Sequence, residues 1–366
     1  MIPGGAGAVS WIIDSHEDLA WNILQFGRDY TRPVAETRAK EAGSLTIEYN
    51  GNTLLGWPEY QEGKVVIVFA TLFATPARRK KSWERVSYAS YEEAYAIYHR
   101  QAALYQELCE RHPDHFRLLV SRSQMEAHLQ EWQIPSEKGH PVGLVLLMEG
   151  AEGIRHPHEL GEWWELGLRQ IGLAWAGTRY CGGTGDPGPL TDEGQELLRA
   201  MAEFPFALDL SHMDERAALQ ALDSYPGPIL VSHANCAALL RDDTSNRHLS
   251  DRLIRRVIER GGVIGVVPYN RFLKRDWRSG DARLPLDALL AHIDHICQLA
   301  GDALHVGLGT DFDGGFGLES VPEGIESIAD LQKIGAALAE QGYSPAAVEA
   351  ILGENWRRHL SQVLIE

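Results

Sequence analysis

The chain has 366 residues, 44% of them hydrophobic and 23% charged, and 34 Lys+Arg against 51 Asp+Glu give a formal charge of −17. That composition excludes a disordered chain, and the deficit of positive charge argues against a protein that tracks nucleic-acid phosphates. Four cysteines, Cys109, Cys181, Cys236 and Cys297, form no CxxC pair, which argues for a reducing compartment rather than a disulfide scaffold.

The opening stretch MIPGGAGAVSWIIDSHED lacks the basic start and long apolar run of a secretory signal. No segment reaches the roughly 20 apolar residues that cross a bilayer. The expectation is a cytoplasmic protein with no membrane or nucleic-acid partner. VSWIID predicts a first strand. Residues 28–62, polar and Gly-rich, read as an insertion after it, with a hairpin predicted in LTIEYNGNTLLGW. VVIVFATLF at 65–73 and VGLVLLME from Val142 predict the next strands, followed by LRQIGLAW, FALDLSH, PILVSH, GGVIGVV and LHVGLGTD. Helices are predicted to open at Thr191, near Ser250 and near Leu286, and Ser344 before Pro345 opens terminal helices.

Eight near-continuous apolar runs separated by amphipathic stretches mark a parallel sheet buried on both faces. Such strands form either an open doubly wound sheet or a closed barrel. DSHEDLAWN follows the first strand where an open nucleotide-binding sheet would carry a Gly-rich turn, and candidate metal ligands end several scattered runs. Their convergence favours an α/β fold of the (β/α)8 TIM-barrel type, one domain over residues 1–366.

His-x-Asp on an extended segment turns both side chains to one side, where they can share a metal. His16/Asp18 fits, as do His112/Asp114, His212/Asp214 and His292/Asp294, so the pair alone can arise by chance; His16 differs in following an apolar strand directly. Glu149 ends VGLVLLMEG, where rim pairing with an arginine is the competing reading. His212 and His233 end successive strands in the same Ser-His setting, and Asp311 ends LHVGLGTD, where it could instead cap a helix. Three histidines and three carboxylates suit borderline divalent ions such as zinc. Two ions would be held by His16, Asp18 and Glu149 and by Glu149, His212 and His233, with a bridging water as nucleophile. Asp311 would orient that water and carry its proton to a leaving amine.

The segments DSHEDLAWN, MEG, LTDEGQELLRAM, LDLSHM, LVSHANC, SNRHLSD, GLGTDFDG and LGENWRRHL, in that order, resemble the membrane (renal) dipeptidases, peptidase family M19, among the amidohydrolase-like metal barrels. The resemblance covers most of the chain and implies a zinc-dependent dipeptidase. It makes His16 and Asp18 ligands of the first zinc, Glu149 the bridge, and His212 and His233 ligands of the second. Asp311 matches the catalytic aspartate, Arg247 the arginine that takes the substrate's terminal carboxylate, and Tyr269 a substrate-pocket tyrosine. A homodimer is also implied. Two departures stand out. Ser15 and Glu17 replace the usual Gly and Asn of the first motif, leaving both ligands intact. Trp175 stands where the family carries a histidine thought to stabilise the oxyanion, and indole donates one hydrogen bond but carries neither proton nor charge. That departure keeps open the hydrolysis of another small carboxylate-bearing amide or ester.

Overall fold

A computed structural model describes residues 11–240 and 244–366. Residues 1–10, on which the reading of the N-terminal segment and the start of VSWIID partly rest, lie outside the described residues. Eight parallel strands follow the eight apolar runs: β1 (Ile12–Glu17), β2 (Val65–Leu72), β3 (Val142–Glu149), β4 (Leu168–Gly172), β5 (Ala207–Asp209), β6 (Ile229–Val231), β7 (Val263–Val266) and β8 (Val306–Leu308). Each pairs with the next, β2 with β3 included (Ile67 opposite Gly143), and β8 pairs back with β1 (Asp14 opposite Leu308), so the sheet closes. A short extra strand, Phe116–Leu118, lies against the start of β3.

Strand parity separates the layers. Along β3, Leu144, Leu146 and Met148 pack into the cluster beneath the helices, whereas Val145 and Leu147 join Ile13, Phe69, Leu230 and Val263 in a second cluster. Trp356 and Leu360 of the helix Asn355–Val363 complete it. The Trp356 indole donates to the Leu308 carbonyl at 3.0 Å and occupies the space that a Cβ on Gly307 would need. Continuing that parity, Thr71 of β2 and Glu149 of β3 stand on the inner face at the C-terminal rim.

Helix starts agree with the capping residues. Thr191, Ser250 and Ser344 each accept a backbone N–H three residues on, and another helix runs Asp287–Ala300. The hairpin predicted in 45–57 is overturned, because Leu45–Asn50 is helical. Tertiary bonds outweigh the local Asn-Gly turn signal. Asn50 is buried and donates to Asn22 Oδ1 at 2.7 Å and to the Asp313 carbonyl at 3.0 Å, and Gly51, at φ +71°, passes too close to the Gly317 backbone for any side chain. The 28–62 stretch therefore contains the helices Val34–Glu41, Leu45–Asn50 and Trp57–Gly63. Among the described residues no helix is long and apolar enough to cross a membrane.

Burial of neutral histidines ties this fold to pH. His128, in the helix Arg122–Glu131, is buried with Nε2 2.8 Å from the Val66 carbonyl, and burial lowers its pKa from 6.5 to about 4. Between those values the unfolded chain binds the extra proton, so this group's contribution to stability falls as pH drops from 6.5 to about 4. His128→Gln is expected to make the acid limb of a urea-denaturation stability profile shallower over that window, by at most roughly 3 kcal/mol.

Candidate metal centre and substrate cavity

Five strand ends deliver the six polar side chains to one place. β1 carries a register shift against β2 between Asp14 and Glu17, the kind of bulge that re-aims side chains at a barrel rim. His16 follows within it, and Asp18 begins the turn into the helix Leu19–Phe26. Glu149 ends β3, and His212, His233 and Asp311 follow β5, β6 and β8 by two or three residues. His212 and Asp311 hold positive φ, +65° and +54°, a conformation uncommon outside glycine, though Asp and His enter it more readily than most residues, and it is held here by the surrounding structure.

The side-chain atoms converge. His16 Nε2 lies 3.8 Å from Asp18 Oδ1, 3.7 Å from Glu149 Oε2 and 3.9 Å from Asp311 Oδ1. Glu149 turns its other oxygen, Oε1, toward His212 Nε2 at 3.1 Å and His233 Nε2 at 3.3 Å. Three overlapping groups result, His16–Asp18–Glu149, Glu149–His212–His233 and His16–His233–Asp311, each offering ligand atoms within 4.8 Å of one another.

Behind the histidines stand hydroxyls. Ser232 Oγ lies 2.8 Å from His233 Nδ1 and 3.3 Å from His16 Nδ1, while its proton goes to Asp209 Oδ2 at 2.5 Å. With that proton committed, the serine accepts from both rings, so each imidazole carries hydrogen on Nδ1 and a lone pair on Nε2. Thr184 Oγ1 holds His212 Nδ1 at 2.9 Å. Asp209 also receives the backbone N–H groups of Ser211 and Ser232, both at 2.9 Å. Thr71 donates to Asp18 Oδ1.

Electrostatically these groups are deprived of water. Burial lowers His16 to about 3, with Arg247 adding to the effect, and drives His212 and His233 well below the usual imidazole range. Burial raises Asp18 to about 6 against the Thr71 hydrogen bond, and it raises Glu149 and Asp311 well above ordinary carboxylates, with Asp18 reinforcing both. His16 Nε2 is buried with no hydrogen-bond partner. His212 Nε2 and His233 Nε2 face each other at 2.9 Å. An orphaned imidazole nitrogen, opposed lone pairs and crowded carboxylates fit a divalent cation, whose charge offsets all three penalties.

Above this centre opens a cavity of about 660 Å³ lined by Asp18, Glu149, His212, His233 and Asp311, and also by Arg247, Tyr269 and Trp175, with His16 buried beneath. Arg247 is buried and spends Nη2 on the His233 carbonyl at 2.8 Å, while among the described residues its Nε and Nη1 have no hydrogen-bond partner. Tyr269 stacks on Phe316, ring centroids 4.2 Å apart. Trp175, three residues past the end of β4, packs between Phe73 at 5.3 Å and His212 at 6.2 Å. All nine residues singled out from sequence thus meet at one site. The other His-x-Asp motifs do not act as pairs at this site: His212 joins it while Asp214 caps the helix Glu215–Ser224, and His292 Nδ1 receives the Cys236 backbone N–H at 3.1 Å.

Sequence reasoning missed the supporting shell. Asp209 and Ser232 carry no motif signal beyond being polar residues within FALDLSH and PILVSH, and Thr184 lies outside every segment singled out. Asp313, two residues past Asp311, is equally hidden. It is fully buried and accepts from Tyr30 Oη at 3.0 Å, Thr53 Oγ1 at 2.6 Å and the Leu54 N–H at 2.9 Å, with Arg28 Nη1 at 2.8 Å. The segment after the first helix is thereby bolted to the loop that carries Asp311.

A family model described as Membrane dipeptidase (Peptidase family M19) matches residues 8–364. An uncharacterized protein in the pqqA 5′ region of Klebsiella pneumoniae is 29% identical over 274 residues, covering 72% of this chain and 95% of that protein. Dipeptidase tcpJ of Claviceps purpurea is 29% identical over 60% of this chain and 52% of its own length. An uncharacterized dipeptidase of Schizosaccharomyces pombe is 30% identical over 57% and 51%. The chain therefore spans about half the length of these two dipeptidases. Among solved structures, the fold is shared with dipeptidase AC, a metallo peptidase of family M19, at a TM-score of 0.79 and 22% identity, covering 98% of this chain and 99% of that one. A Rhodobacter sphaeroides metallo peptidase liganded with a phosphinate mimic of L-Ala-D-Ala gives 0.79 and 22%, covering 97% and 100%.

The shared serine generates a direct test. Ser232→Ala removes the acceptor that orients His16 and His233, and metal affinity, read by competition with a chromogenic chelator, is expected to fall about 10- to 100-fold with the far-ultraviolet circular dichroism unchanged.

Proposed function

The chain belongs to the membrane dipeptidase family, peptidase family M19, and from that premise we propose that it hydrolyses the peptide bond of dipeptides at a divalent-metal centre of two zinc ions. The observation that carries this reading is the position of Glu149, with one carboxylate oxygen toward His16 and the other toward His212 and His233. His16 and Asp18 would hold one ion, His212 and His233 the other, and Glu149 both. When bound, the pair would supply Lewis acidity toward the scissile carbonyl and an ionised water as nucleophile.

The remaining roles belong to the chain. The unpartnered nitrogens of Arg247 receive the terminal carboxylate of the substrate, a planar anion that a guanidinium binds with direction as well as charge. Bound there, the substrate lies between the aromatic walls of Tyr269 and Trp175. Asp311, its Oδ1 beside the ligand cluster and its carboxyl raised by burial, accepts a proton from the attacking water and returns it to the departing amine nitrogen. Proton transfer needs this group near the reacting atoms rather than on a metal. Trp175 favours a second reading, hydrolysis of another small carboxylate-bearing amide or ester, because indole cannot offer a charged donor to the carbonyl oxygen.

Metal analysis of purified protein is expected to return two equivalents of zinc per chain. The loaded enzyme is expected to turn over L,L or L,D dipeptides in preference to lactones and N-acyl amino acids; turnover of the latter alone selects the second reading. Asp311→Asn is expected to lower kcat by about 10²- to 10⁴-fold with metal content unchanged. Undiminished turnover in that variant would remove the proton-transfer role.

A further inference from the structure

The charge of the cavity mouth runs against that of the chain. The chain as a whole carries −17, yet beyond the metal-ligating residues and Arg247 the cavity is lined by Arg79, Lys81, Arg271, Arg275 and Arg278 against only Glu84 and Asp276. Glu84 is already engaged, accepting the Lys81 backbone N–H at 2.6 Å and lying 3.4 Å from Thr75 Oγ1. Arg79 is partly neutralised by Asp186 at 2.5 Å, which it shares with Arg78.

Three of the cations have no such compensation. Among the described residues no carboxylate forms an ion pair with the Lys81, Arg271 or Arg278 side chain, Asp281 accepting only the Arg278 backbone N–H at 2.8 Å. Lys81 lies over the Trp83 ring, 5.7 Å from its centroid. The Arg271 guanidinium acts electrostatically on the Tyr269 hydroxyl, opposing the rise that burial imposes on it. The Arg278 guanidinium donates to the backbone carbonyls of Arg275 and Trp277, both at 3.1 Å. These side chains come from two separate loops. Lys81 follows β2, and Arg271 and Arg278 follow β7, three positions away around the ring. A ligand at the mouth therefore meets positive charge from more than one side.

Arg247 alone answers the terminal carboxylate of a dipeptide. A surplus of like charge, gathered at a cleft whose walls focus its field, costs the free protein self-repulsion that an additional anionic group on the ligand would relieve. We propose that this cavity selects dipeptides bearing a second negative charge, an aspartyl or glutamyl side chain in addition to the terminal carboxylate, and that Lys81, Arg271 and Arg278 are the specificity-determining side chains. The inference rests on the dipeptidase reading above.

The test compares Ala-Glu and Glu-Ala with their neutral isosteres Ala-Gln and Gln-Ala, each in L,L and L,D form, on the full-length metal-loaded protein. Exposed ion pairs contribute a factor of a few each, so kcat/KM for at least one acidic dipeptide is expected to exceed that of its isostere by about tenfold. That ratio is expected to approach one between about 0.01 M and about 1 M salt, as the Debye length shrinks below the size of the mouth. It is expected to do the same in the triple variant Lys81→Gln, Arg271→Gln, Arg278→Gln, whose fold is checked by circular dichroism. The salt series carries the test if the variant does not fold. Equal rates for acid and isostere, or a preference that survives both salt and substitution, overturn the proposal and leave dipeptide hydrolysis standing. Hydrolysis of no dipeptide of any charge overturns the dipeptidase reading, and this inference with it.

Discussion

The site depends on a single arrangement, the Ser232 hydroxyl set between two imidazoles and a carboxylate. Because its proton goes to Asp209, the hydroxyl accepts from His16 and His233 at once and fixes both lone pairs toward the cavity. One serine thus couples β1 to β6 through the middle of the barrel mouth. The geometry requires a closed ring. In an open sheet the ends of β1, β3, β5 and β6 would be spread along a line, and Glu149 could not face histidines from both directions. The concentration of buried ionisable groups is costly in an unliganded fold, and it becomes intelligible as a receptor for positive charge.

Rigidity at the Asp311 loop comes from outside the barrel. Asp311 and Asp313 both take positive φ, and the turn between them is braced by Asn22 and Asn50, which donate to the Asp313 carbonyl at 3.0 Å. The Arg28–Asp313 pair is completely buried, Asp313 takes three further donors and Arg28 also pairs with Glu41 at 3.0 Å, so removing Arg28 would leave a buried carboxylate without its counter-charge. Residues 28–54 therefore do more than fill a connection: they set the backbone on which the Asp311 carboxylate is mounted. Strain at Asp311 is tolerable because this bracing leaves the loop no cheaper conformation.

Much of this was legible in the sequence, for a physical reason. A strand buried on both faces must be apolar throughout, so a polar residue at its end is conspicuous, and His16, Glu149, His212, His233 and Asp311 all announced themselves in that way. The runs gave a parallel sheet, and the barrel followed from the scattered strand-end ligands that only a closed ring brings together. What could not be read were features with no local signature. The hairpin expected in residues 45–57 gave way to a helix because Asn50 and Gly51 answer to Asn22, Asp313 and Gly317, partners remote in sequence. Ser232 and Asp209 look like ordinary strand-end residues until the ring brings His16 beside them. The cationic mouth was hidden more thoroughly, since an overall charge of −17 points the other way and only the tertiary structure gathers Lys81 with Arg271 and Arg278.

Trp175 then acquires a structural account. It lies past the end of β4, with its ring between Phe73 and His212, so the position is part of an aromatic wall rather than of the polar centre. Where an imidazole would offer a protonatable donor to the developing oxyanion, indole offers one neutral N–H and a broad apolar face. Loss of one oxyanion donor typically costs about a hundred- to a thousand-fold in rate, and in the proposed reading that load would fall on the divalent cations of the centre, with Arg247 engaged by the terminal carboxylate. Such cations would stabilise negative charge through a field and require no proton. A site organised this way gains most from substrates that are already anionic, since fixed positive charge holds them without drawing on the hydrogen-bonding groups needed at the reacting carbonyl. The substitution at Trp175 and the basic mouth are thus consistent with one another: aromatic contact and long-range charge take over positioning where a polar side chain is missing.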